Sequence, residues 1–241
     1  MIPPGTFANL HLLQQLFLGG NRITMIPPGT LANLTQLRKL DLSANKIKTI
    51  QADSGTLANL HLLQQLFLGR NQITMIQPGS LANLTQLRKL DLSANKIKTI
   101  QTDVFANLSQ LKVLFLSFNQ ITMIQSGTFG NLHLLQQLFL GENQITMIEA
   151  GALSNLSQLQ KLDLRSNKMF AIFPLAYGLS PSIPVIKLER NPWHCDCRMA
   201  ALRANTTKFP SFKEHIVCDQ PSKFKGQKLA EKAMLAQQRI L

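Results

Sequence analysis

Acidic residues are scarce: 12 Asp and Glu stand against 25 Lys and Arg in 241 residues, a formal net charge of +13. Charge does not set a fold, but this balance favours anionic partners such as sulfated glycans, nucleic acid, anionic lipid or bacterial envelope polymers. Aromatics are also few, at 6 %, while the hydrophobic share is 45 %, enough to bury a sizeable core in one or two domains. The chain shows neither a signal-peptide pattern nor an apolar run long enough to cross a bilayer, which is no argument for the cytosol. No nucleophile motif, phosphate-binding loop or pair of carboxylates stands out. Catalysis and cofactor binding are therefore not expected. Cysteines number three, an odd count that leaves at least one outside an intramolecular disulfide.

What the chain does have is periodicity. An asparagine recurs at 21, 45, 71, 95, 119, 143, 167 and 191, in steps of 24 broken by a single step of 26. Each follows a spaced apolar set, such as Leu87, Leu90 and Leu92 before Asn95, with Ile97 after it. The pattern LxxLxLxxNxI is that of the leucine-rich repeat. It predicts one short strand per unit, a turn at the asparagine and a looser return segment. The asparagine side chains are expected to bond backbone groups and form a ladder along the solenoid. Phe105, Phe129, Leu57, Leu81 and Leu153 mark a second apolar position in the return segment and read as core. No unit buries its own apolar face, so the units must stack into a crescent with a parallel sheet on the concave side. The fold class is thus an α/β leucine-rich-repeat solenoid of about eight turns.

Residues 7–51 and 57–101 are nearly the same text, as in duplication of a two-repeat block. The extra residues of the long step, near Ala52–Asp53–Ser54, fall in a return segment, where insertions disturb the core least. Met1–Thr6 aligns with Met25–Thr30, so the chain reads as starting partway through a unit without an N-terminal cap. An uncapped first repeat would expose Leu10, Leu13 and Leu16 and could drive homodimer formation. The histidines at 11, 61 and 133 occupy one repeat position and look incidental.

The stretches NPWHCDCRMAAL (191–202) and CDQPSKFKGQKL (218–229) resemble the cysteine-rich C-terminal cap of extracellular leucine-rich-repeat proteins. The expected division is a repeat array over 1–190 and a cap over 191–241. The resemblance implies a disulfide between Cys195 and Cys218, with Cys197 left odd and Trp193 plugging the last repeat. Zinc held by His194, Cys195, Cys197 and Cys218 is the alternative. A disulfide implies an oxidising compartment, hence a secreted or cell-surface protein. A closing amphipathic helix would put Leu229, Ala233, Ala236 and Ile240 on one face. Sequons occur at Asn33, Asn83, Asn107, Asn155 and Asn205. They read as glycosylation sites on the return side, or simply as the repeat consensus ANLT/ANLS.

With this cap and units ending in NQITMI, the chain resembles secreted or surface immune-type leucine-rich-repeat proteins, in particular variable lymphocyte receptors and their relatives. The resemblance implies recognition of a protein or glycan antigen by the concave face. The near-identical repeats suit a fixed, germline-encoded receptor better than a hypervariable one. Anionic bacterial surface polymers fit the charge, and specific nucleic-acid binding is not expected. The alternatives are a cell-adhesion or guidance module with a protein partner, or part of a Toll-like receptor ectodomain.

The residues between the paired strand leucines face out of that sheet: Phe17, Asp41, Phe67, Asp91, Phe115, Phe139, Asp163 and Lys187. Two residues earlier come Gln15, Lys39, Gln65, Lys89, Val113, Gln137, Lys161 and Val185. Phe115 and Phe139 fall on neighbouring strands with Val113 and Phe118 close by, an exposed apolar patch of the kind that marks interaction sites. Candidate ligand-binding residues are therefore Phe67, Lys89, Asp91, Val113, Phe115, Phe118, Gln137, Phe139, Lys161 and Asp163. The opposing reading is that the rings lie against lysine stems of the next strand and that the Lys–Asp pairs are self-neutralising ladders.

Overall fold

A computed structural model describes residues 2–3, 5–50, 56–181, 183–199 and 214–229, together with Leu202, Thr207, Phe209 and Phe212. Ala52–Asp53–Ser54, Asn205 and most of the proposed closing helix lie outside the described residues.

Each repeat makes a three-residue strand whose central leucine, or Ile186 in the last, points inward and whose flanking residues point out. Eight such strands form one parallel sheet in chain order: Gln15–Phe17, Lys39–Asp41, Gln65–Phe67, Lys89–Asp91, Val113–Phe115, Gln137–Phe139, Lys161–Asp163 and Val185–Lys187. The register is uniform, with Leu66 opposite Leu40 and Leu90, so like positions stack along the whole solenoid. Leu40, Leu66, Leu90, Leu114, Leu138 and Leu162 are completely buried. On the far side the return segments advance by tight turns, with the amide of Leu34 bonded to the carbonyl of Leu31 and that of Leu37 to Leu34. They deliver Leu57, Leu81, Phe105, Phe129 and Leu153 into the same continuous core.

The predicted asparagine ladder is present. Asn119 Oδ1 accepts the amide of Ile97 in the preceding turn at 3.0 Å, while Nδ2 donates to the carbonyls of Leu92 and Leu116, each at 3.0 Å. The motif repeats from Asn45 through Asn191. Buried between turns, these side chains satisfy backbone groups that a strand only three residues long leaves unpaired.

The residue before each asparagine adopts a left-handed backbone, at Gly20, Ala44, Arg70, Ala94, Phe118, Glu142, Ser166 and Arg190. The chain therefore tolerates a mild strain once per turn for non-glycine residues.

A second ladder runs along the return side. Asn33, Asn83, Asn107 and Asn155 each donate Nδ2 to a backbone carbonyl of the preceding turn. Asn59 and Asn131 do the same without belonging to a sequon. The repeat thus has a structural use for this asparagine whether or not sugar is attached.

At the C-terminal end Cys195 and Cys218 form a disulfide. This removes two members of the alternative zinc set, and Cys197 is free and exposed. Trp193 is fully buried beneath the last turn, its indole N–H donating to the carbonyl of Leu188 at 3.0 Å. Trp193–His194 pairs with Cys218–Gln220 in a small parallel sheet that joins the two halves of the disulfide-linked segment. No helix among the described residues is long and apolar enough to cross a membrane.

Candidate functional site

The open face of the eight-stranded sheet carries the predicted columns in the predicted order, because the register sets Phe67 opposite Asp91, Asp91 opposite Phe115, and Phe115 opposite Phe139. Phe115 and Phe139 stack with ring centroids 4.6 Å apart and planes 5° from parallel. The remaining rings are not bare. Lys39 Nζ lies 5.0 Å from the Phe17 ring and 5.5 Å from Phe67. Lys89 Nζ lies 5.3 Å from Phe67 and 5.2 Å from Phe115. Lys161 Nζ closes the series 4.9 Å from Phe139. The face is therefore an alternating ladder of cations and rings, interrupted once by the ring-on-ring pair. Each ammonium is drawn to the negative face of the aromatic, and each lysine stem covers ring surface that would otherwise meet water. Phe67, Phe115 and Phe139 end half-buried, as do Lys89, Val113, Gln137 and Lys161.

Of the opposing reading, the packing of rings against lysines of the next strand is present, whereas the Lys–Asp ladder is not. Among the described residues the lysines of these strands make no ion pair with the neighbouring aspartates. The carboxylates turn instead toward the strand exits. Asp91 Oδ1 accepts the amide of Ser93 at 2.8 Å and its hydroxyl at 2.6 Å, and Asp41 does the same with Ser43. Asp163 pairs with Arg165 at 3.0 Å and is only 2 % exposed, so it is withdrawn from the surface on which the sequence places it. A carboxylate two residues before a free amide satisfies that amide locally.

These aspartates also explain the column two residues beyond the outward-facing position. Gly19, Gly69 and Gly141 sit one turn before Asp41, Asp91 and Asp163. A Cβ on Gly69 would lie 3.1 Å from Ser93 Oγ and 3.2 Å from Asp91 Oδ1; one on Gly141 would lie 3.0 Å from Asp163 Oδ1. Where the next turn carries phenylalanine, the equivalent residue is Ser43, Ser93 or Ser117. The glycines are spaces for carboxylates, and the signal was the strict Gly-before-Asp alternation.

Phe118 stands just beyond the stacked pair, in the turn rather than on the strand. It combines a left-handed backbone (φ 58°) with 60 % exposure. A large aromatic in that conformation gains nothing from local geometry and little from burial, which makes it the least structurally motivated ring on this side of the molecule. Phe115, Phe139 and Phe118, bordered by Lys89 and Lys161, form the candidate recognition patch. Among the described residues no cluster of His, Cys, Asp and Glu is arranged to hold a metal.

Comparison with known proteins places this geometry. The leucine rich repeat family profile matches residues 1–47, 49–97, 61–121, 86–139 and 109–169. A TLR13–ssRNA13 complex is similar with a TM-score of 0.73 and 31 % identity, over 79 % of this chain and 27 % of that one. An LRR protein of Leptospira interrogans is similar with a TM-score of 0.64 and 28 % identity, over 75 % of this chain and 44 % of that one. The chain thus spans less than half the length of either. No curated protein matches it.

Proposed function

We propose that this chain, which belongs to the leucine-rich-repeat family, is a non-catalytic recognition module that binds antigen or microbial surface through the concave patch of Phe115, Phe139 and Phe118. The observation that carries this reading is the pairing of two stacked rings on an open sheet face with a third ring exposed beside them. Aromatic anchors with a charged rim have the anatomy of a binding hot spot. The Cys195–Cys218 disulfide fits a secreted or cell-surface setting. Sugars on Asn33, Asn83, Asn107 and Asn155 would sit on the return side, away from the patch.

The test is capture of bacteria by the intact chain and by a Phe115→Ser/Phe139→Ser variant of confirmed fold, at low and high salt. Capture by the intact chain alone, persisting at high salt, supports the patch. Equal capture by both, abolished by salt, assigns binding to the basic surface instead. Absence of capture by either removes the microbial reading.

The likeness to a TLR13 chain covering only 27 % of that chain favours a second reading, a segment of a larger Toll-like receptor ectodomain. A membrane span and signalling domain encoded in the same gene would select it.

A further inference from the structure

Seven lysines of the repeats form two groups. Lys39, Lys89 and Lys161 lie over phenylalanine rings on the concave sheet. Lys46, Lys48, Lys96 and Lys98 lie on the flank just after the asparagine turns, and all four are exposed. Extended backbone alternates here: Ile47 and Ile97 are buried, so the lysines on either side of each point outward together. Among the described residues none of the four meets a carboxylate or an aromatic ring.

Backbone hydrogen bonds fix how these positions stack. The amide of Lys46 bonds to Ile23 O at 2.8 Å, that of Gln72 to Ile47 O at 2.9 Å, and that of Lys96 to Ile73 O at 2.8 Å. Thr74 N bonds to Lys48 O at 3.2 Å. One row along the flank is therefore Arg22, Lys46, Gln72, Lys96, Gln120, Gln144 and Lys168; the other is Thr24, Lys48, Thr74, Lys98, Thr122, Thr146 and Phe170. Neither row contains an acidic residue. The return segments 27–37, 77–87, 101–111 and 125–137 contain no Lys or Arg. The positive charge of these units is thus concentrated on the sheet and its margins, and among the described residues no carboxylate pairs with the four lysines of this flank.

We propose that this flank is a docking site for a linear sulfated polysaccharide, separate from the concave patch and independent of what binds there. Two lysine pairs separated by two hydrogen-bonded turns stand roughly 10 Å apart, about the length of a disaccharide. A chain sulfated once per disaccharide meets one pair per unit, with Thr74 and Gln72 between the pairs to bond sugar hydroxyls. Nucleic acid fits less well, because Gln72 and Thr74 between the two lysine pairs offer no aromatic surface on which bases could stack, and the one ring of these rows, Phe170, stands three turns beyond Lys98. Such a site would hold the module at a glycan-coated surface while the concave face remains free.

The experiment uses the full chain on immobilised heparin, with a Lys46→Gln/Lys48→Gln/Lys96→Gln/Lys98→Gln variant. An Arg38→Gln/Arg88→Gln/Lys225→Gln/Lys228→Gln variant serves as control with the same change in net charge, and thermal melts confirm that both fold. The flank variant should elute at markedly lower salt, with the slope of log affinity against log salt reduced by about four; the control should keep the parental slope within about one. Equal losses in the two variants would reduce the effect to net charge and overturn the proposal. Competition adds two arms: desulfated heparin should not displace the protein, and single-stranded RNA or a glycerol-phosphate polymer that competes as well as heparin at matched charge would overturn the choice of ligand. The Phe115→Ser/Phe139→Ser variant should bind heparin as the parent does. If it does not, the polyanion lies on the concave face and the flank assignment fails, whereas loss of bacterial capture with heparin binding intact concerns the concave patch alone.

Discussion

Phe115 lies flat on Phe139 across one sheet spacing, centroids 4.6 Å apart, while Phe105 and Phe129 of the same two turns stack at 6.2 Å on the opposite side of the core. The first pair faces outward and is half-buried; the second is about 1 % exposed. Removing them should cost very different amounts. Phe129→Ala should destabilise by about 3–5 kcal/mol, because it leaves a cavity. Phe115→Ser/Phe139→Ser loses a surface stack worth about 0.5–1.5 kcal/mol beyond modest area burial, and should cost about 2 kcal/mol in all. Urea denaturation monitored by circular dichroism decides. Equal costs would make the outer pair part of the core and weaken its reading as a recognition patch.

The stacking of Gly69 beneath Asp91 yields a coupling prediction. Gly69→Ala crowds Asp91 Oδ1 and Ser93 Oγ at little more than 3 Å and should cost about 1–3 kcal/mol. Asp91→Ala leaves the Ser93 amide without its acceptor and should cost about 1 kcal/mol. Together they should cost less than the sum by about 1 kcal/mol, since the methyl then occupies the space the carboxylate left. Strict additivity in a double-mutant cycle would show that the glycine column answers to something other than the carboxylate.

The repeat, its eight strands, the inward leucines and the asparagine ladder were all legible in the sequence, because each is a period-24 property and the solenoid converts period directly into position. Cross-strand chemistry was less so. Lys89 and Asp91 are two apart on one strand and look like partners, yet the ammonium finds the rings of Phe67 and Phe115 on the strands either side, and the carboxylate finds the amide of Ser93. Sequence gives the columns, but whether a side chain reaches sideways or back to its own backbone depends on distances that only the stacked structure supplies. Phe118 shows the same limit: its neighbours in the sequence suggest a strand-side ring, and the left-handed turn sets it outside.

The asparagine ladder predicts a gradient from end to middle. Asn119 is buried, accepting from Ile97 and donating to Leu92 and Leu116. Asn119→Ala strands a buried amide and at least one carbonyl and should cost about 3 kcal/mol. Asn21 is exposed, and among the described residues its side chain donates only to Leu18 and Gly19 in its own turn. Asn21→Ala should cost under about 1 kcal/mol. Similar melting shifts for the two variants would mean that the inter-turn bonds contribute little.

Alkaline pH isolates one buried group. Tyr177 is the only tyrosine, and burial pushes its phenol up to about 12, against a smaller opposing effect of its hydrogen bond to the Phe173 backbone. In the unfolded chain the phenol ionises near 10. Below pH 10 both states hold the proton and the contribution is constant. Between pH 10 and 12 the unfolded chain binds fewer protons than the folded one, so stability must fall as pH rises, by up to about 2 kcal/mol from this group. Tyr177→Phe should remove that part of the alkaline slope, and the difference between the two proteins cancels the titration of the lysines. Phenolate absorbance reads the same site directly: in the folded protein it should rise with a midpoint near 12. A midpoint near 10 under folded conditions would show that the ring is solvated and that the turn around Pro174–Tyr177 is not closed over it.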